Sequence, residues 1–168
     1  ALCSLLCVIS DSCSFSSCSA NVFMTYHFQN PSDGVVKRYL ENSKVIAVVG
    51  LSDREETTSN RVSKEMQARG YRIIPVNPRA AGSQIFGETV YASLKDIPFP
   101  VDIVDVYRRS EFLPDVARDF LEADAKIFWA QLGLENEEAE QILREAGRED
   151  IVMDRCIKRE HTRLILGE

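Results

Sequence analysis

The sequence predicts a doubly wound α/β fold: a mainly five-stranded parallel sheet with helices on both faces. Two observations carry that prediction. Short apolar runs recur at residues 45–49, 73–76, 101–107, 126–132 and 150–153. None alternates cleanly with polar residues, so each reads as a strand covered on both sides. Helical patterns with short connections separate the runs, which implies parallel strands joined by right-handed crossovers.

Each element has its own local signals. Ser32 can cap a first helix that stops at Asn42. The first strand follows and ends at Gly50. Ser59 is expected to cap the second helix, with Val62 and Met66 on its apolar face and Gly70 as its stop. Residues 80–91 read as a loop broken by Gly82 and Gly87, and residues 93–97 as one helical turn before Pro98. Ser110 is expected to cap the next helix, with Pro114 near its first turn. Glu137, Glu138 and Glu140 crowd the start of a fourth helix, where the positive dipole end favours them. A last helix is expected from Cys156 to Leu166.

Bulk properties narrow the function classes. The chain has 168 residues, room for one domain with a proper core. Its net charge of −6 argues against a nucleic-acid surface, which needs a basic stripe. No apolar run reaches the roughly 20 residues that a bilayer span requires, so no membrane partner is expected.

Residues 1–23 differ from the rest. They hold four of the five cysteines, many serines and one charge, Asp11. They lack the cationic start of a secretory signal and the arginines of a transit peptide. Cys3, Cys7, Cys13 and Cys18 lack the paired-knuckle spacing of a zinc site. We read this stretch as a disordered upstream or non-native tail, with the domain proper at residues 24–168 and Met24 as its natural start. That domain keeps one cysteine, Cys156, which fits a reducing cytoplasm.

Ligands of doubly wound sheets bind beyond the carboxyl ends of the strands. The first strand delivers Gly50, Leu51 and Ser52 there, followed by Ser59, Asn60 and Arg61. The second delivers Asn77, Pro78 and Arg79; the third Tyr107, Arg108 and Arg109; the fourth Gln131, Leu132 and Gly133. The three-glycine dinucleotide fingerprint is absent, and no acid closes the second strand to accept ribose hydroxyls. An amide, a proline and a cation suit a nucleotide with extra phosphate. Gly50 allows close backbone approach. Ser52, Ser59 and Asn60 can hydrogen-bond, the start of the second helix favours anions, and Arg79 and Arg108 can clamp phosphates.

The segments IAVVGLS (46–52), YRIIPVNP (71–78), VDIVDVYRR (101–109), WAQLG (129–133) and DRC (154–156), continued by Glu160-His161, resemble the small single-domain CoA-binding protein family. That family is similar to the CoA-binding domain of the succinyl-CoA synthetase alpha subunit. The resemblance covers about residues 24–164 and implies a Rossmann-like domain holding coenzyme A, or a short acyl-CoA, at the four strand ends. One departure is the trio Asp53, Glu55 and Glu56, which would repel phosphate if turned towards it. A full acyl-CoA synthetase would need a second domain with a phosphorylatable histidine and an ATP-binding unit.

No catalytic residue is assigned from sequence. Asp102 and Asp105 fall at a strand spacing of three and face opposite sides. Cys156 and His161 lie five residues apart on a helix, so their side chains diverge. Arg155, Lys158 and Arg159 beside Cys156 form the kind of cationic setting in which reactive thiols occur. Two alternatives stand beside plain CoA binding. One is an NADP-linked oxidoreductase, with Arg79 on the 2′-phosphate. The other is a redox or regulatory module acting through Cys156. No metal site is expected, and the sequence names no protein partner.

Overall fold

The computed structural model describes residues 25–168. The expectations for residues 1–23 and for a start at Met24 lie outside the described residues.

Five parallel strands form the main sheet: β1 (Val45–Val49), β2 (Arg72–Val76), β5 (Val101–Val106), β6 (Ala125–Ala130) and β7 (Ile151–Val152). Their order is β2-β1-β5-β6-β7. In between, β3 (Gln84–Ile85) and β4 (Glu88–Thr89) form a small antiparallel hairpin. The expected parallel sheet is therefore present.

Both faces of the sheet are covered, because every strand is apolar on alternate sides. Ala47, Val49, Val104, Val106 and Phe128 pack with Val116 and Phe120 of α3 (Leu113–Glu122) and with Leu143 of α4 (Glu137–Glu145). Ile46, Val48, Ile103 and Trp129 pack on the other side. Their partners are Val36 and Leu40 of α1 (Asp33–Asn42), Val62 and Met66 of α2 (Thr58–Ala68), and Ile157 of α5 (Ile157–His161). Trp129 is fully buried, and its indole nitrogen donates to the Arg155 carbonyl at 2.8 Å. That pairing satisfies the one polar group the ring brings inside.

Pro75 sits inside β2, an edge strand. Its carbonyl accepts from the Tyr91 nitrogen at 3.0 Å, so its missing N–H faces that outer side and takes no bond from the β1 ladder.

Four local expectations are corrected. Thr57, not Ser59, caps α2: its side chain accepts from the Asn60 nitrogen, while the Ser59 hydroxyl accepts from the Ser52 nitrogen. The turn closed by Thr57 N to Arg54 O starts the helix earlier than the apolar pattern suggests. Residues 80–91 are not a plain loop. Phe86 and Gly87 both take positive φ, the geometry of a tight two-residue hairpin, and Arg72 grips Glu88 at 2.7 Å. Ser110 opens a 3₁₀ turn (Ser110–Phe112) and makes no cap for α3; such turns often precede α-helices. The C-terminal helix is not uniform. After α5 it widens into a π turn at Thr162–Leu166, where the Thr162 hydroxyl donates back to the Lys158 carbonyl.

Candidate functional site

Strand order reverses at β1. The chain leaves β1 for β2 on one side and later returns to place β5 on the other. Such a reversal opens a crevice at the carboxyl edge. Gly50 and Tyr107 follow the two strands that flank it. Gly50 holds φ +86°, and a Cβ there would lie 2.7 Å from the Tyr107 carbonyl oxygen. Glycine is thus required twice, for its backbone conformation and for the close approach.

A cleft of about 630 Å³ lies against this edge, lined by Gly50, Asn77, Pro78, Arg79, Tyr107 and Arg108 among others. Asn77 is the hinge pin of its wall. Its side-chain amide donates to the Leu51 carbonyl at 3.0 Å, and its Oδ1 accepts from the Arg79 nitrogen at 3.0 Å. The loop after β1 and the loop after β2 are thereby held together. Arg79 is exposed at the rim. The Arg108 guanidinium lies 4.5 Å from the centre of the Phe112 ring, a cation–π contact. Glu111 pairs instead with Arg109, at 3.7 Å.

A second cavity, of about 470 Å³, lies on the far side of the same loop and shares Tyr107, Arg108 and Arg109 with the first. Thr58, Gln131, Leu132, Leu134, Cys156 and Arg159 complete its wall. Thr58 is the first residue of α2, so the start of that helix does reach a cavity.

Asp105 is 2 % exposed and accepts from Gln131 Nε2 at 2.5 Å. Burial pushes its carboxyl up to about 7, against the pull of the Gln131 hydrogen bond. The Tyr107 hydroxyl is buried without a hydrogen-bond partner, and its pKa is raised by burial first and by Asp105 second. Gly133 is exposed, and its nitrogen donates to Asp154 at 2.6 Å.

The structure brings together Gly50, Asn77, Pro78, Arg79, Tyr107, Arg108, Gln131 and Cys156. It leaves others out of both cavities. Leu51 is fully buried. Ser52, Ser59 and Asn60 bind one another: Asn60 Nδ2 donates to the Ser52 carbonyl at 2.9 Å, and the Ser52 nitrogen donates to Ser59 at 3.3 Å. These residues shape the loop from behind. Arg61 is exposed on α2. Asp53, Glu55 and Glu56 are exposed and line neither cavity; Glu55 pairs with Lys64 at 3.8 Å and Glu56 with Arg54 at 3.9 Å.

Several wall residues escaped the sequence reading. Ser93 and Leu94 sit in the first cleft because their 3₁₀ turn (Leu94–Asp96) packs against α3, which also lines it. Phe112, Val116 and Asp119 enter from α3 and the turn before it. Asp105 had a readable signal, an acid inside an apolar strand.

His161 stands elsewhere. Its Nδ1 lies 3.0 Å from an Arg69 nitrogen, and its ring meets Tyr71 edge-on at 5.7 Å. Burial, then Arg69, lowers its pKa, so the ring is neutral and accepts from the guanidinium. Among the described residues no cluster of three or more His, Cys, Asp or Glu side chains could hold a metal ion. No described helix is long and apolar enough to cross a membrane.

Residues 44–162 match the model of a CoA binding domain. The chain is 57 % identical over 133 residues to the Uncharacterized protein YneT of Bacillus subtilis (strain 168), covering 79 % of this chain and 96 % of that protein. It is 29 % identical over 119 residues to the alpha subunit of ADP-forming acetate–CoA ligase I of Pyrococcus furiosus. That match covers 65 % of this chain and only 26 % of the subunit. Among solved structures, cell-free ID.343 from Thermus thermophilus superposes with a TM-score of 0.76 at 38 % identity, covering 80 % of this chain and 100 % of that one.

Proposed function

The chain belongs to the CoA binding domain family, and from that premise we propose that it binds coenzyme A or a short acyl-CoA at the carboxyl ends of its parallel strands, without catalysing a reaction on it. One observation carries the proposal: two cavities meet at the Tyr107–Arg109 loop, directly beside the close contact of Gly50 with Tyr107. The first, at about 630 Å³, falls within the roughly 300–1,000 Å³ usual for small-molecule sites. Its polar groups converge from three strand ends. Gly50 lets a ligand phosphate approach the backbone, Asn77 and Pro78 hold the opposite wall, and Arg79 and Arg108 supply charge. The second cavity, with Gln131 in its wall and Gly133 outside its lining, extends the groove for the rest of a long ligand.

A binding role fits the titratable groups better than catalysis does. His161 is committed to Arg69 and Tyr71. Asp105 is sealed beneath Gln131. The match to the acetate–CoA ligase subunit spans about a quarter of that protein, so ligase chemistry is not carried over. Calorimetric titration with CoA tests the proposal. Saturable binding at one site per chain is expected; the absence of any binding isotherm would overturn it.

A further inference from the structure

Cys156 stands where two cavities join. One is the cavity of about 470 Å³ that it shares with Tyr107 and Gln131. The other, of about 520 Å³, continues from Cys156 over Arg155 and Arg159. The thiol is free.

One neighbouring group points to a ligand independently of the sulfur. Gln131 is 5 % exposed and lines the shared cavity. Its Nε2 is committed to Asp105, while its Oε1 makes no hydrogen bond to a described residue. The hydroxyl of Tyr107, another residue of that wall, is buried and unpartnered. Buried polar groups are normally paired. An unpaired acceptor in the cavity wall, with an unpaired hydroxyl buried nearby, suits the N–H of an amide. The pantetheine arm of CoA carries amides and ends in a sulfur.

We propose that this cavity takes the pantetheine arm and that Cys156 captures it covalently by exchange with CoA disulfide; the proposal rests on the CoA reading above. In the step, the Cys156 sulfur, as thiolate, attacks one sulfur of the CoA disulfide. A bond forms between Cys156 Sγ and that sulfur, and the original S–S bond breaks. The second CoA leaves as a thiolate and takes up the proton that Cys156 gave up. The disulfide supplies the oxidising equivalent, so no other oxidant enters. The first cleft holds the nucleotide of the retained half, which brings its sulfur to Cys156 at high effective concentration. The domain then answers to the oxidation state of CoA as well as to its amount.

The test is intact-mass measurement of the full chain after incubation with CoA disulfide or, separately, glutathione disulfide. Peptide mapping separates Cys156 from Cys3, Cys7, Cys13 and Cys18. The Cys156 peptide should gain one CoA at least about tenfold faster than it gains glutathione. Excess desulfo-CoA, which has the nucleotide and no thiol, should slow the CoA reaction only. Cys156→Ser should still bind desulfo-CoA by calorimetry and show no adduct at position 156. Equal rates with the two disulfides, or no protection by desulfo-CoA that demonstrably binds, would overturn the capture and leave the CoA reading standing. Failure of desulfo-CoA to bind at all would overturn both.

Discussion

The carbonyl oxygen of Tyr107 lies 2.7 Å from where a side chain on residue 50 would begin. The two loops at the centre of the carboxyl edge therefore meet backbone to backbone at this point. Gly50→Ala meets two penalties, the left-handed backbone at about 1–2 kcal/mol and the collision with the carbonyl. Gly133 has φ +82° and open space around it, so Gly133→Ala carries only the first. Chemical denaturation should show the residue-50 variant to be clearly the less stable of the two. Equal losses would mean that the carbonyl contact is not felt.

Ligand choice follows from the loop after β2. Asn77, Pro78 and Arg79 replace the acid that a free ribose diol would need. A ligand at 100 times its dissociation constant adds about 2.7 kcal/mol. CoA should therefore raise the melting temperature measurably, and NAD should not. A shift with NAD or NADP and none with CoA would favour the oxidoreductase reading instead.

Arg108 stacks on Phe112 and lines both cavities. As a phosphate clamp, it should lose about 1.5–3 kcal/mol of CoA binding on replacement by alanine. Added salt should narrow the difference from the parent, because it screens the same attraction. Without ligand, the loss of an exposed cation–π contact should cost only about 0.5–1 kcal/mol. Unchanged CoA affinity in calorimetry, together with a lower melting temperature, would make the arginine structural.

Asp105 makes stability depend on pH. Its folded pKa is raised to about 7 by burial, whereas an unfolded aspartate titrates near about 3.9. Below that lower value both states hold the proton. As pH rises towards 7 the unfolded chain sheds its proton while the folded chain keeps it, so stability falls; above 7 the loss levels off. At full burial the span is at most on the order of 4 kcal/mol. Asp105→Asn keeps an acceptor for Gln131 and removes the titration. Urea denaturation should therefore show the variant gaining on the parent between pH 5 and pH 8. A difference that does not change with pH would show that this carboxyl does not titrate in that range.

Much of this molecule was legible from local pattern. The first strand was expected at residues 45–49 and is found there, because a run apolar on both sides has few other places to go. Helix starts were less readable. Thr57 and Ser59 are separated by one residue of similar chemistry, and the backbone turn before them decides which one caps; at Ser110 a 3₁₀ turn intervenes before the helix begins. The hairpin at Phe86 and Gly87 was missed because a bulky aromatic rarely signals positive φ.

Short continuous apolar runs, separated by helical segments, were enough to determine a parallel sheet and the edge at which its loops gather. Which loop residues line a cavity was decided only in three dimensions. Ser59 and Asn60 carry the right chemistry, yet they spend it on Ser52, because a loop must satisfy its own backbone before it can serve a ligand. Gln131 and Cys156 are 25 positions apart in the chain, and no local pattern relates them. They share a cavity because β6 and the segment after β7 end side by side, where strand order, and not sequence distance, sets what lies next to what.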